Sequence, residues 1–152
     1  MNDRARSWTV TEILLVSIGV VALVATWAQV WGYLAHGFFA GNVLFWLDAV
    51  ANPASTFITV DILALAAAVF VFMFAEGRRL GIGAGWLWGY LVASMAIGIS
   101  FAIPIFLAHR QRRIRLQRPA ELAEPAGSDW LGIAIGVAMA LVAVAYSLSH
   151  PA

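Results

Sequence analysis

The sequence predicts an all-α integral membrane bundle of four transmembrane helices, with an interfacial segment between the first two. Four stretches are apolar over nearly their whole length, residues 11–30, 57–75, 86–108 and 130–147. A hydrocarbon core about 30 Å thick is crossed by roughly 20 helical residues, so each stretch is long enough to span it. The composition agrees, because 62% of the 152 residues are hydrophobic and only 11% are charged.

Aromatic side chains gather near the ends of these stretches, where amphipathic rings favour the headgroup region of a bilayer. They include Trp8, Trp27, Trp31, Trp46, Trp86 and Trp130. Together with the hydropathy, this pattern predicts a multi-pass membrane protein.

Composition also excludes several kinds of chemistry. The chain has no cysteine, which excludes disulfides, iron–sulfur clusters and thiol catalysis. It has no lysine either, and Schiff-base sites need a lysine amine. Its three histidines lack metal-ligand spacing. We therefore predict no metal site, no cofactor-binding residues and no nucleic-acid partner, and the identity of any cofactor stays open.

The first predicted helix, residues 10–31, opens with a capping box formed by Thr9 and Glu12. We interpret it as a retained helix and not as a signal peptide, because the apolar run is too long and carries Glu12. The residues that follow are too broken by polar side chains to span. They are predicted to lie at the interface as one short helix around residues 43–50.

The second predicted span covers residues 55–76. Its helix has Asn52 as N-cap and Pro53 as first residue, and Gly77 is predicted to end it. The third, residues 86–108, contains Pro104, which should kink it near residues 100–104. Residues 1–113 would thus form a three-helix membrane unit. A polar linker, residues 114–128, and a fourth transmembrane helix, residues 129–148, complete the predicted organisation.

Small residues repeat at helical spacing along one face of the third and fourth helices. They are Gly89, Ala93, Ala96, Ser100, Gly132, Gly136 and Ala140. Such faces let helix backbones approach closely in a bilayer. We interpret them as helix-packing faces, within the chain or between chains.

The charged residue that most needs an explanation is Asp61, eight residues after Pro53 in the second helix. An ionised carboxylate in lipid is costly, so it should face the bundle interior, pair, or stay protonated. It is the candidate catalytic residue, with Asp48 or Glu76 assisting. A structural hydrogen bond to a neighbouring helix explains it equally well.

Other charges have simpler roles. Glu76 and Arg79 are spaced for a helix-end ion pair. The arginines of residues 110–118 form either a topology signal or a contact for anionic headgroups. With four spans, they would lie on the cytoplasmic side, opposite Arg78 and Arg79.

Asn52 and three longer segments, residues 57–63, 74–79 and 98–110, resemble a small bacterial membrane family, domain of unknown function 2834. The resemblance covers residues 8–113. It implies a three-helix membrane unit with an aspartate in the second helix, here Asp61, and a Gly-x-Ser-Phe…Pro…Phe-Leu signature that begins at Gly98. It implies no activity, and the fourth helix lies outside it.

Three functions fit these residues. The leading interpretation is a non-enzymatic bundle that associates with itself, as a homo-oligomer, or with a larger membrane complex, and that holds a lipid or other apolar ligand. The first alternative is an intramembrane enzyme acting on an isoprenoid or lipid with Asp61 as general acid. The second is a proton-coupled transporter that works as a dimer.

Overall fold

The computed structural model describes residues 7–117 and 127–149. Over these residues the chain is all-α, as predicted, and contains no strand. The helices are α1 (Val10–Trp27), α2 (Trp31–Leu34), α3 (Phe38–Ala49), α4 (Pro53–Arg79), α5 (Ala84–Ala96), α6 (Ile99–Gln117) and α7 (Ser128–Ser149). By length and composition, α1 and α4 are each able to cross a bilayer. Two of the four predicted spans therefore meet this criterion within the described residues, which supports a membrane location.

Two helices begin where the sequence predicts, because both starts are fixed by local capping. The Thr9 hydroxyl accepts a hydrogen bond from the backbone of Glu12 at 3.2 Å, and the Glu12 carboxylate accepts one from the backbone of Thr9 at 3.0 Å. Asn52 caps α4 in the same way, with Pro53 in the first turn. At its other end α4 continues to Arg79, so Gly77 does not end it.

The third predicted span, residues 86–108, is divided in the structure. The chain breaks at Ile97 and Gly98, where Gly98 has a φ of 147°, and Pro104 lies inside α6. The chain therefore breaks just before α6, ahead of the position at which the sequence predicts a kink. Glycine supplies this backbone conformation without a steric penalty, so the chain turns at Gly98.

The two halves form a helical hairpin. Tyr90 of α5 lies against His109 of α6, with 2.9 Å between the phenolic oxygen and Nδ1. The Tyr90 ring also packs edge-on against Phe106, with 5.6 Å between centroids. Trp86, near the start of α5, also packs against His109 in the second half of α6, with 5.8 Å between ring centroids. Since α5 and α6 are joined directly at Ile97 and Gly98, these contacts make the two helices antiparallel. The start of α5 and the end of α6 consequently lie at the same end of the molecule.

Helix α1 runs antiparallel to α6 along its whole length. Glu12 contacts Arg115 at one end, and the Trp27 indole donates a hydrogen bond of 2.8 Å to the Ile97 carbonyl at the other. Between them, a Cβ at Gly19 would lie 3.2 Å from the Phe101 carbonyl oxygen. The absence of a side chain at Gly19 therefore sets the close approach of these two helices.

The buried core lies at the end of the molecule where α4 finishes and α5 begins. Its members are Met73, Leu80, Ile82, Leu87, Tyr90, Phe106 and Ile114. Gly77 belongs to this region, since a Cβ there would collide with the buried side chain of Leu87. The first half of α4 is different: its apolar side chains are largely exposed, and Phe57 reaches 74%.

The arginines of the described segments share one end of the molecule. Glu76 contacts both Arg79, at 2.7 Å, and Arg110, at 2.8 Å. The expectation that Arg78 and Arg79 lie opposite the arginine run is therefore wrong. The physical reason is the hairpin, which returns the chain to the end from which α5 starts.

Candidate functional site

Asp61 lies on the outside of the folded chain. It is two turns into α4, about 12 Å from Pro53 at a rise of about 1.5 Å per residue, and its side chain is exposed. Its neighbours Val60 and Ile62 are exposed too. Within the described residues, the Asp61 carboxylate forms no hydrogen bond and no ion pair. A single copy of the chain thus presents a lone acid on an apolar surface.

The two carboxylates expected to assist Asp61 are occupied elsewhere. Asp48 accepts a hydrogen bond of 2.8 Å from the Tyr33 hydroxyl, and this bond raises the pKa of Tyr33 above its usual value of 10.0. Glu76 lies about 22 Å beyond Asp61 along the same helix. Neither acid hydrogen-bonds to Asp61 in the described chain.

Glu76 joins the end of α4 to α6. The predicted pair with Arg79 is confirmed, with hydrogen bonds of 2.7 and 2.9 Å from the guanidinium. Arg110 of α6 donates a further bond of 2.9 Å to the same carboxylate and lies over the Phe72 ring at 5.7 Å. The sequence offered no signal for Arg110, because this contact depends on the α5–α6 hairpin.

A second ion pair joins α1 to α6. Glu12 is 0% exposed, and its carboxylate accepts hydrogen bonds of 3.1 to 3.2 Å from the Arg115 guanidinium. Glu12 was predicted to cap α1, and it does so. Its long-range partner was not predicted, because capping alone already accounted for an acid at this position.

The described residues line an open cavity of about 340 Å³ between the beginning of α1, the beginning of α5 and the end of α6. Apolar side chains form most of its wall, and polar side chains of α5 and α6 complete it. The lining residues are Trp8, Val16, Trp86, Tyr90, Ile105, Ala108, His109, Arg112 and Arg113. Both polar and apolar contacts are therefore offered to one occupant.

His109 is the centre of the polar side of this cavity. The Arg113 Nε donates a hydrogen bond to His109 Nε2 at 3.3 Å. Burial, followed by the charges of Arg113 and Arg112, lowers the pKa of His109 below its usual 6.5. His109 lies beyond the apolar part of α6 and is neutral near pH 7. Since Nε2 accepts, the ring proton sits on Nδ1 and is donated to the Tyr90 oxygen.

The predicted packing residues are not buried together within the chain. A Cβ at Gly89 or Gly136 would meet no atom within 4 Å. Ala96, Ser100 and Ala140 are exposed, Ala93 is half-buried, and the surroundings of Gly132 lie outside the described residues. Contacts between chains thus remain a prediction for these faces. The close approaches inside the chain occur at Gly19, Gly41 and Gly77 instead.

In the described segments, no group of three or more His, Asp or Glu side chains is placed to hold a metal ion.

Residues 14–112 of this apolar helical chain match the family described as protein of unknown function DUF2834. The chain belongs to this family, and the matched region covers most of α1 through α6 and ends before α7. No curated protein and no solved structure matches the chain.

Proposed function

We propose that this protein is a non-enzymatic, multi-pass component of the bacterial cell membrane that works by associating with a second copy of itself or with a larger membrane complex. Helices α1 and α4 cross the bilayer, α7 supplies a further span, and the α5–α6 hairpin enters from the arginine-bearing end. The observation that carries the proposal is Asp61 on α4, which is exposed and has no hydrogen-bond or ion-pair partner among the described residues.

Placing the Asp61 carboxylate against lipid is unfavourable in free energy. A carboxylate facing lipid costs several kcal/mol, and such residues face a bundle interior or a partner. In a single copy, Asp61 is surrounded by exposed apolar side chains of the first half of α4. A second helix laid along this face would cover the acid and supply a hydrogen-bonding group.

A second surface, on α7, is also uncovered in a single copy of the chain. Gly136 and Ala140 of α7 are exposed, with open space around Gly136. Small residues at a spacing of four bring helix backbones together in a bilayer. Two uncovered faces, one on α4 and one on α7, support association more than chemistry at a closed active site.

Cross-linking tests the α4 face, because the chain has no native cysteine. Ala68 lies two turns from Asp61 on the same side of α4, whereas Leu63 lies on the opposite side. Both are exposed. Oxidation of native membranes that contain Ala68→Cys should give a disulfide-linked dimer on a non-reducing gel, and Leu63→Cys should give little. Equal cross-linking of the two variants would disprove the face assignment.

Substitution of Asp61 then distinguishes its role. Asp61→Asn keeps shape and hydrogen bonding, and Asp61→Leu removes both. If the residue is covered by a partner helix, Asn should preserve the dimer seen with Ala68→Cys and Leu should abolish it. A dimer that is unaffected by Asp61→Leu would remove the observation on which the proposal rests.

A further inference from the structure

Two arginines at the cavity have no carboxylate partner among the described residues. Arg110 and Arg115 of α6 are paired with Glu76 and Glu12. Arg112 and Arg113 lie on the same helix and line the cavity, yet neither contacts a carboxylate in the part of the chain that the structure describes. Arg112 lies over the Trp8 ring, with 5.3 Å from its Cζ to the centroid.

A third hydrogen-bond donor is available beside them. His109 donates its Nδ1 proton to the Tyr90 oxygen at 2.9 Å, because its other nitrogen accepts from Arg113. The Tyr90 hydroxyl therefore keeps its own hydrogen, and Tyr90 lines the cavity. Two guanidinium groups and one hydroxyl thus line the same cavity, and each of them is able to donate a hydrogen bond to an anion.

The remaining residues of the lining have a different character. Val16, Ile105 and Ala108 are apolar, and Trp8 and Trp86 lie where α1 and α5 begin. Amphipathic indole rings favour the headgroup level of a bilayer. A volume of about 340 Å³ accommodates a polar headgroup and the start of a hydrocarbon chain. The cavity therefore combines a site for an anion with a site for an apolar tail.

From this arrangement we infer that the cavity binds the phosphate group of an anionic amphiphile, such as an acidic phospholipid. The phosphate contacts Arg112, Arg113 and the Tyr90 hydroxyl, and the chain lies along Val16 and Ile105. Phosphate fits better than a carboxylate, because donors from three side chains match its several oxygens and because arginine pairs with phosphate bidentately. This inference is independent of the association proposed above.

Lipid binding by the full-length protein tests the inference. The protein in a neutral detergent is titrated with phosphatidylglycerol, and bound lipid is counted by native mass spectrometry. One phosphatidylglycerol should bind, about tenfold or more tightly than phosphatidylcholine, whose net charge is zero. Arg112→Gln should weaken the binding of phosphatidylglycerol by about tenfold, the range expected for loss of one charged hydrogen bond.

Matched variants separate the site from general charge. Arg78→Gln removes an exposed arginine at the same end of the molecule that does not line the cavity, and it should leave affinity unchanged. Tyr90→Phe keeps the ring and removes the donor, so it should weaken binding by several-fold. The melting temperature of each lipid-free variant shows whether it is folded, and Arg112→Gln is preferred to Arg113→Gln because Arg113 also holds His109.

Inorganic phosphate identifies the source of the anion. Added at millimolar concentration, it should displace little phosphatidylglycerol, because it lacks the apolar chain. Displacement by phosphate at a concentration close to that of the lipid would overturn the amphiphile and point to a free anion. Equal loss of binding in Arg78→Gln and Arg112→Gln would overturn the site itself and indicate a diffuse charge effect.

Discussion

Glu12 and Arg115, 103 residues apart, form an ion pair in which the carboxylate is completely buried and the guanidinium is almost so. The pair joins the first turn of α1 to the last turns of α6. Taking two charges out of water is expensive, and the attraction between them compensates only while both are present. The structure consequently depends on the two residues jointly and not on either one alone.

Removal of one partner should therefore cost more than removal of both. Arg115→Gln leaves a buried carboxylate without its cation and should lower the free energy of unfolding by about 3–5 kcal/mol. The double variant Glu12→Gln with Arg115→Gln should lose clearly less, and chemical unfolding in detergent measures both. If the two losses are equal, the buried charge is not the cause.

The α5–α6 hairpin predicts which loops share a side of the membrane. Single cysteines at Gly83 and Gln117, on either side of the hairpin, should react with a membrane-impermeant maleimide from the same side. A cysteine at Ala51, between α3 and α4, should react from the other. A continuous span through residues 86–108 would instead place positions 83 and 117 on opposite sides, and this labelling pattern would exclude the hairpin.

Two glycines should respond to the same substitution in different ways. Gly19→Leu adds bulk where α1 meets the Phe101 carbonyl, so it should separate α1 from α6 and lower the melting temperature of the monomer. Gly136→Leu meets open space within the chain and should leave the monomer intact while it weakens an oligomer. Melting curves and size-exclusion chromatography distinguish the two effects. Loss of monomer stability in both variants would contradict the difference between the two sites.

His109 gives the fold a defined dependence on pH. Its pKa is lowered in the folded protein, by burial and then by Arg113 and Arg112, so the folded state binds fewer protons than the unfolded state at a pH just below 6.5. Stability from this group is complete above pH 6.5 and is lost as the pH falls through the folded pKa. Protonation also removes the acceptor for Arg113.

Melting temperatures between pH 8 and pH 5 test this dependence. The wild-type protein should lose stability towards pH 5, above the range in which most carboxylates titrate. His109→Gln has no imidazole and should show a flatter profile. The groups that face the imidazole are Tyr90 and Trp86 of α5 and Arg113 of its own helix, and Tyr90→Phe serves as the control because it leaves the titrating ring in place. Identical slopes in wild type and His109→Gln would assign the effect to other groups.

Local signals in the sequence predicted the fold well where local interactions decide it. The starts of α1 and α4 follow from Thr9 and Asn52, whose side chains bond within one turn. The reversal at Gly98 was missed because hydropathy is uniform across residues 86–108 and does not record chain direction. Pro104 seemed the stronger helix breaker, yet α6 accommodates it, and the glycine six residues earlier provides the turn.

The candidate sites show the same difference between local contacts, which the sequence predicts, and long-range contacts, which it does not. The pair of Glu76 with Arg79 is local and was predicted from spacing. The cavity lined by Tyr90, His109 and Arg112 was not predicted, because it requires α1, α5 and α6 to meet at one end. Asp61 was located by its charge in an apolar helix, but sequence could not reveal that it points away from the rest of the chain.

The arrangement of charge also bears on how such a chain enters a bilayer. All of the described arginines, Arg78, Arg79, Arg110, Arg112, Arg113 and Arg115, stay at the end where α1 begins. In the segment that joins α1 to α4, the one acidic or basic side chain apart from His36 is Asp48, which is already bonded to Tyr33. In the membrane arrangement proposed above, translocation of this segment would carry one carboxylate and no guanidinium across the bilayer.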